Sequence, residues 1–179
     1  MPMATETKQW TLQELHSLPE DGNTYELIHG ELFVSPAPGN RHETILARLT
    51  RILDPYAAAN DLGYVFHPRA VVQTPDSQVE PDLMVRQPSP ELGDRWQEAP
   101  LPSLVVECLS PYSRRRDREH KREFYLEVGI QEYWIIDPDR QNITVVRPDA
   151  RDLVVNDLIT WAPDGPKIPL RFEVHQLFV

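Results

Sequence analysis

The sequence predicts a mixed α/β or α+β fold: a β-sheet flanked by helices. Three observations carry that expectation. Short apolar runs bounded by proline and glycine recur along the chain. A stretch beginning at Asn40 has helical rather than strand periodicity. A polar-faced helical stretch, Arg114 to Val128, lies between two of the most apolar runs, Leu104-Val105-Val106 and Tyr133-Trp134-Ile135-Ile136. A hairpin, a helix, a run of strands, a helix and more strands is an order that packs as a mixed sheet with helices against it.

Taken in order, Met1 to Thr7 reads as a loose leader, with the expected flexible segment reaching about residue 10. Leu12, Leu15 and Leu18 have modest helical spacing. Tyr25 to Ile28 and Glu31 to Val34 read as a hairpin, with Gly30 supplying the turn. Ser35 to Gly39 is a loop. Asn40 and Glu43 stand at N-cap and N3 spacing, a variant of the capping box, and open the clearest helix. Its apolar face is Ile45, Leu46, Leu49, Ile52 and Leu53, and Pro55 is expected to end or kink it.

Tyr64-Val65-Phe66, Ala70-Val71-Val72 and Asp82 to Arg86 are strand-like, Gln87 to Pro102 is a proline-rich loop, and Ser103 to Leu109 is a central strand. The helix from Arg114 should stop at Gly129, a natural C-cap. Tyr133 to Ile136 is a buried strand, turned by Asp137-Pro138-Asp139-Arg140 into Asn142 to Arg147. Leu153 to Val155 suits an edge strand, and Phe172 to Val179 closes the fold. The 179 residues suit one domain, 1–179, with room for a core.

Hydrophobic residues make up 40% and charged residues 26%, ordinary globular usage. No apolar stretch approaches the roughly 20 residues of a membrane span, so no membrane partner is expected. The single cysteine, Cys108, excludes an intramolecular disulfide and points to a reducing cytoplasm. A net charge of −10 counts against bulk, non-specific nucleic-acid binding. It leaves room for a local basic groove, and the one dense basic stretch is Arg114-Arg115-Arg116, Arg118, Lys121 and Arg122. From charge alone that stretch is equally well a solvated helix face.

The chemistry concentrates in Glu80-Pro81-Asp82, then Glu107 after Leu104-Val105-Val106, then Lys121. A carboxylate beside a buried strand is costly unless it is paired, hydrogen-bonded or bound to a cation. If the two strands are neighbours, Asp82 and Glu107 can converge on one end of the sheet and hold Mg²⁺ or Mn²⁺ with waters and a substrate phosphate. The Cys108 backbone carbonyl is a further candidate ligand. A lysine one helix later can orient or deprotonate the attacking water, or balance phosphate charge. The bland alternatives stay open. The carboxylates can be solvated or paired with arginine, and Lys121 can form a surface pair with Asp117, which shares its helix face with Tyr125. His42 and Glu31 are weaker candidates for an outer ligand or a phosphate contact. The six histidines show no zinc spacing, and the Cys108 side chain should point away from Glu107 into the core. Tyr133 and Trp134 suit packing better than base stacking.

Tyr25-Glu26-Leu27-Ile28-His29-Gly30-Glu31-Leu32, Pro81-Asp82-Leu83, Leu104 to Pro111, Arg116 to Lys121, Tyr125 and Gly129 to Pro138 occur in order. This ordered set resembles the Uma-two endonuclease family, formerly a domain of unknown function, from about Tyr25 to the C-terminus. The resemblance implies a restriction-endonuclease-like fold of the PD-(D/E)XK superfamily: a mixed sheet core flanked by helices, with additional antiparallel strands. It makes Asp82 and Glu107 the acidic pair. The superfamily's lysine two positions after the second acid is here Leu109, and Lys121 on the next helix is the stand-in. Cys108 replaces a more usual aliphatic residue.

The expectation is a cytoplasmic, Mg²⁺- or Mn²⁺-dependent endonuclease acting on DNA. Asp82, Glu107 and Lys121 would be catalytic, the metal would sit on Asp82, Glu107 and the Cys108 carbonyl, and the arginines before Lys121 would steer the phosphate backbone. Edge strands in the C-terminal half would allow a homodimer. DNA binding should be weak and strongly salt-sensitive. The rival from another class is a catalytically inactive module that keeps the fold and binds nucleic acid or protein. A third reading is a metal-dependent phosphoesterase acting on small molecules.

Overall fold

The computed structural model describes residues 8–179; the leader expected at Met1 to Thr7 lies outside the described residues. The chain opens with a short helix α1 (Leu12–Leu15), held by a capping box between Thr11 and Glu14. The hairpin β1 (Thr24–Ile28) and β2 (Glu31–Ser35) forms where the pattern predicts it. His29 (φ 48°) and Gly30 (φ 83°) make its two-residue turn, which needs a left-handed backbone at both positions. The Trp10 N–H donates to the Gly30 carbonyl at 2.8 Å, which ties the start of the described chain to this turn.

Helix α2 (Asn40–Ala59) continues past Pro55, which does not end it. The bond lost at Pro55 is the one to the carbonyl four residues back, at Arg51. Both residues are exposed, so water satisfies that carbonyl. The N-cap is Gly39, with no side-chain cap, rather than Asn40. Then follow β3 (Tyr64–Phe66), β4 (Val72–Gln73), β5 (Gln78–Val79), β6 (Leu83–Arg86) and β7 (Leu104–Cys108). The helix expected from Arg114 to Val128 is two helices, α3 (Arg114–Arg118) and α4 (His120–Val128), broken at Glu119 (φ −113°, ψ −75°). As expected, α4 ends on Gly129 in the left-handed region (φ 94°). The remaining strands are β8 (Tyr133–Asp137), β9 (Asn142–Val146), β10 (Leu153–Val155), β11 (Leu158–Trp161) and β12 (Leu170–Glu173).

The main sheet has the order β10-β9-β8-β7-β6-β3. Its β7–β8 pair is parallel and the others are antiparallel. A second sheet has the order β2-β1-β5-β4, and β11 pairs with β12. Every residue of β7 and β8 is buried, as befits strands covered on both faces. One face carries Leu83, Val85, Val106, Cys108 and Trp134 against Ile45, Leu49 and Leu53 of α2. The other carries Met84, Val105, Tyr133 and Ile135 against Phe124 and Tyr125 of α4 and against Ile28 and Val79 of the second sheet. Cys108, Tyr133 and Trp134 are thus core residues, as their spacing predicts. The loop between β6 and β7 is pinned from within: buried Arg86 donates to the carbonyls of Val71, Trp96, Ala99 and Pro100. No helix among the described residues is long and apolar enough to cross a membrane.

Candidate active site

The β6–β7 register pairs Leu83 with Val106 and Met84 with Val105. Continued past the last pair, that register would face Asp82 to Glu107 and Pro81 to Cys108. Residues directly opposite one another point to the same face. Both carboxylates therefore leave the sheet together, on the face covered by α4 and the second sheet.

Pro81 changes the hydrogen bonding at this edge. The N–H groups of Val105 and Leu109 donate to β8 and its flank, at 3.1 Å to Glu132 O and 2.9 Å to Ile136 O. Alternation then turns the N–H and carbonyl of Cys108 toward β6. The N–H donates to Asp82 Oδ2 at 2.7 Å. The carbonyl faces a proline, which has no N–H to give, so the ladder leaves it open at the edge where the carboxylates converge.

Lys121 reaches this place from the first turn of α4. Its Nζ lies 2.8 Å from Glu107 Oε1, 2.8 Å from Glu26 Oε1 and 4.0 Å from Asp117 Oδ1. Only 1% of Lys121 is exposed, so a surface pair with Asp117 is not what forms. Tyr125, one turn on, donates its hydroxyl to the same Glu107 oxygen at 2.7 Å. The helix face expected for Asp117, Lys121 and Tyr125 is the one that meets Glu107, despite the break at Glu119.

Burial opposes the Lys121 charge, but the carboxylates of Glu107, Glu26 and Asp117 outweigh it and raise the pKa. The surrounding carboxylates thus favour the ammonium over the neutral amine. Burial also pushes Glu107 well above the ordinary carboxylate range. Lys121 pulls it back, while Asp82, Asp117 and Glu26 push it further up. Of the two partners the lysine charge is the better fixed, because it has three carboxylates around it and Glu107 has one close ammonium. Asp82 lies below its ordinary value: burial works against its charge, and His42, Lys121 and the Cys108 N–H more than offset that.

His42, in the first turn of α2, sits with Nε2 3.0 Å from Asp82 Oδ2, so this secondary candidate does reach the site. Glu31 does not. It lines a separate cavity with Lys8, His29 and His120. Sequence reasoning missed Glu26 and Arg116 as parts of the cluster. A charged residue at a strand position flanked by buried neighbours was the available signal for Glu26. Its Oε1 accepts from the Glu80 N–H at 2.9 Å and from Lys121, and its Oε2 lies 3.2 Å from Arg116 Nη1. Among the described residues, Glu26 Oε2 and Asp117 Oδ2 are the buried side-chain polar atoms with no hydrogen bond.

Of the arginines in the basic stretch, only Arg116 lines the cleft that Asp82 and Glu107 also line. Arg114 and Arg118 bind Asp137, Arg115 binds Glu119, Arg116 binds Glu26 and Asp117, and Arg122 binds Asp152. All five are drawn into ion pairs with nearby carboxylates.

The carboxylates and Lys121 line one cleft of about 750 Å³. Neither Asp82 Oδ1 nor Glu107 Oε2 accepts a hydrogen bond among the described residues. With the Cys108 carbonyl they form an oxygen-only donor set that suits a hard divalent cation. No trio of His, Cys, Asp or Glu side chains forms a cage among the described residues. Mg²⁺ needs none, since it is bound through one or two carboxylates and keeps most of its waters. The residues present therefore fit such an ion.

A mixed sheet with paired carboxylates at its edge places the chain among nuclease folds. A crystal structure described as "a putative nuclease belonging to DUF820 from Anabaena variabilis ATCC 29413" superposes with a TM-score of 0.76 at 25% identity, covering 94% of this chain and 97% of that one. The sequence model of the family Uma2, described as "Putative restriction endonuclease", matches residues 12–170, and the chain belongs to that family. No curated protein matches it. The resemblance drawn from the motifs and the expected fold class are both what is found.

Proposed function

We propose that the protein is a divalent-metal-dependent endonuclease that hydrolyses DNA phosphodiesters in the Asp82–Glu107 cleft. The observation that supports this reading is that Asp82 accepts the Cys108 N–H, next to Glu107, at the end of the β6–β7 pair. A Mg²⁺ or Mn²⁺ ion, when bound by Asp82, Glu107 and that carbonyl, supplies Lewis acidity and eases deprotonation of water. Asp82 is held ionised and oriented by His42 and the Cys108 N–H. Lys121, protonated, fixes Glu107 and adds positive charge facing the scissile phosphate. Water attacks phosphorus in line, the bond from phosphorus to the leaving sugar oxygen breaks, and solvent takes the proton of the attacking water and returns one to the leaving oxygen.

Plasmid nicking at low salt with Mg²⁺ or Mn²⁺ tests this reading, comparing the parent with Glu107→Gln and Lys121→Met, each checked for fold by circular dichroism. Cutting lost in both supports it. Cutting unchanged in both removes it. One observation favours a second reading, a module that binds without cutting: Lys121 and Arg116 are both already held by carboxylates. A folded parent that binds DNA yet cuts none with either metal selects that reading.

A reducing cytoplasm suits the buried lone cysteine. A homodimer would form along β10, the outer strand of the main sheet, where Leu153 and Val154 are exposed. Sedimentation of Val154→Lys against the parent checks that pairing.

A further inference from the structure

The cleft floor is built for charge, but its mouth is not. Charged residues lining the cleft are Glu26, Glu43, Glu80, Asp82, Glu107, Arg116 and Lys121. Lys121 is buried and Arg116 is half-buried, and both are held by carboxylates. The arginine next in line, Arg69, follows the lining residue Pro68 and acts on Glu80. A duplex is gripped mainly through its phosphates, by several free lysines and arginines. This cleft offers at most one such contact.

The mouth instead carries an aromatic ring. Tyr112 lines the cleft and is 77% exposed, on the turn that joins β7 to α3 just past Glu107 and Cys108. The turn is stiff. Ser110 Oγ accepts from the N–H groups of Tyr112 (3.3 Å) and Ser113 (3.1 Å), and Ser113 Oγ accepts from the Ser110 N–H (3.1 Å). Pro111 fixes the backbone between them. Pro36, Ala37, Pro38 and Pro68, apolar and uncharged, also line the cleft.

An exposed aromatic at an opening poor in free cations is suited to stacking on an unpaired base. Base–aromatic stacking tolerates any sequence. We propose that the cleft takes single-stranded DNA, or a single-stranded segment in a duplex, with one unpaired base stacked on Tyr112 beside the scissile phosphate. This deepens the endonuclease reading and rests on it for the cleavage step, but strand preference can be read without cleavage.

The test uses a fluorescent 12-nucleotide single strand and the blunt duplex of the same sequence. Anisotropy gives Kd for each with Ca²⁺ present, and gel assays with Mn²⁺ give cleavage. The parent should bind the single strand about tenfold tighter than the duplex. Tyr112→Ala should weaken single-strand binding by about tenfold and leave the duplex unchanged, and Tyr112→Trp should retain it. In cleavage, Tyr112→Ala should raise KM for the single strand with little change in kcat. Duplex bound as tightly as single strand, or Tyr112→Ala binding the single strand as the parent does, overturns the inference even if the protein cuts. Single-strand preference that depends on Tyr112, with no cutting by the parent, upholds the inference and instead removes the endonuclease reading.

Discussion

Two carboxylates at the ends of adjacent parallel strands meet arginine or lysine from the helices that connect those strands, with opposite results. Asp137 ends β8. Its Oδ1 accepts the N–H groups of Asp139 (3.1 Å) and Arg140 (3.2 Å), and its Oδ2 accepts from Arg114 (2.8 Å) and Arg118 (3.1 Å). Burial opposes its charge, but those donors outweigh it and its pKa lies below the ordinary value. Among the described residues Glu107, one strand over, has hydrogen bonds from Lys121 and Tyr125 on one oxygen and none on the other, and neighbouring Glu26 and Asp117 each keep a buried oxygen without a hydrogen bond. Buried polar groups in folded proteins are almost always satisfied. The Asp137 cluster is complete and needs nothing further, as a structural joint should. The Glu107 cluster is crowded with negative charge and short of donors.

If that contrast is real, activity and stability should separate between the two clusters. Glu107→Gln removes one negative charge from the crowded cluster, and nicking activity should fall by about 10²–10³-fold or more while urea denaturation shows no loss of stability. Asp137→Ala should do the reverse. It strands two arginines and two N–H groups and should cost about 2–3 kcal/mol, below a fully buried pair because the arginines are a third exposed. Its folded fraction should cut at the parental rate; a large drop in kcat would place Asp137 in the chemistry and dissolve the contrast.

Pro81→Ala sharpens the comparison from the backbone side. It returns an N–H to face the Cys108 carbonyl and closes the open ladder position. Mn²⁺ affinity by calorimetry should weaken about tenfold, with thermal stability held or slightly raised. Unchanged affinity would take that carbonyl out of the donor set.

The pH dependence of the two variants should also differ in sign. Asp137 has a depressed folded pKa, so the unfolded chain binds more protons near pH 4. Its stabilisation is present above that range and is lost as pH falls through the folded value. The deficit of Asp137→Ala should therefore close on acidification. Glu107 has a raised folded pKa, so the folded protein binds more protons and stability falls as pH rises above the ordinary glutamate value. Glu107→Gln should gain on the parent with rising pH, a difference that denaturation at pH 4 and pH 7 would read.

The smallest effect is on salt dependence. With the arginines of α3 and α4 already paired, oligonucleotide binding should have a log–log salt slope near −1, consistent with about one phosphate contact. This replaces the strong salt sensitivity expected from charge alone. A slope of −4 or steeper would mean that those pairs open to bind DNA.

Most of the fold was legible because it rests on local patterns. The hairpin at His29-Gly30, the apolar face of α2, the buried runs of β7 and β8 and the Gly129 cap each follow from residues near in sequence. The break at Glu119 and the passage of α2 through Pro55 were not, because each depends on what the helix packs against and which side faces water. The short strand β5 escaped notice because Gln78-Val79 carries no alternation long enough to read.

The same division runs through the site. The residue types and order of Asp82, Glu107 and Lys121 were legible, because a charge beside a buried strand demands an explanation wherever it occurs. The sequence alone showed that the chain had such charges, that it had one cysteine and that its overall charge was acidic. Tertiary structure decided which charges met. Glu26 joins from a strand 95 residues before Lys121, and Arg116 turns to it instead of to solvent. Strand pairing brings Asp82 and Glu107 opposite each other and sets Pro81 against Cys108. Coulomb and hydrogen-bond energies act over a few ångströms of space, and distance along the chain does not predict that separation.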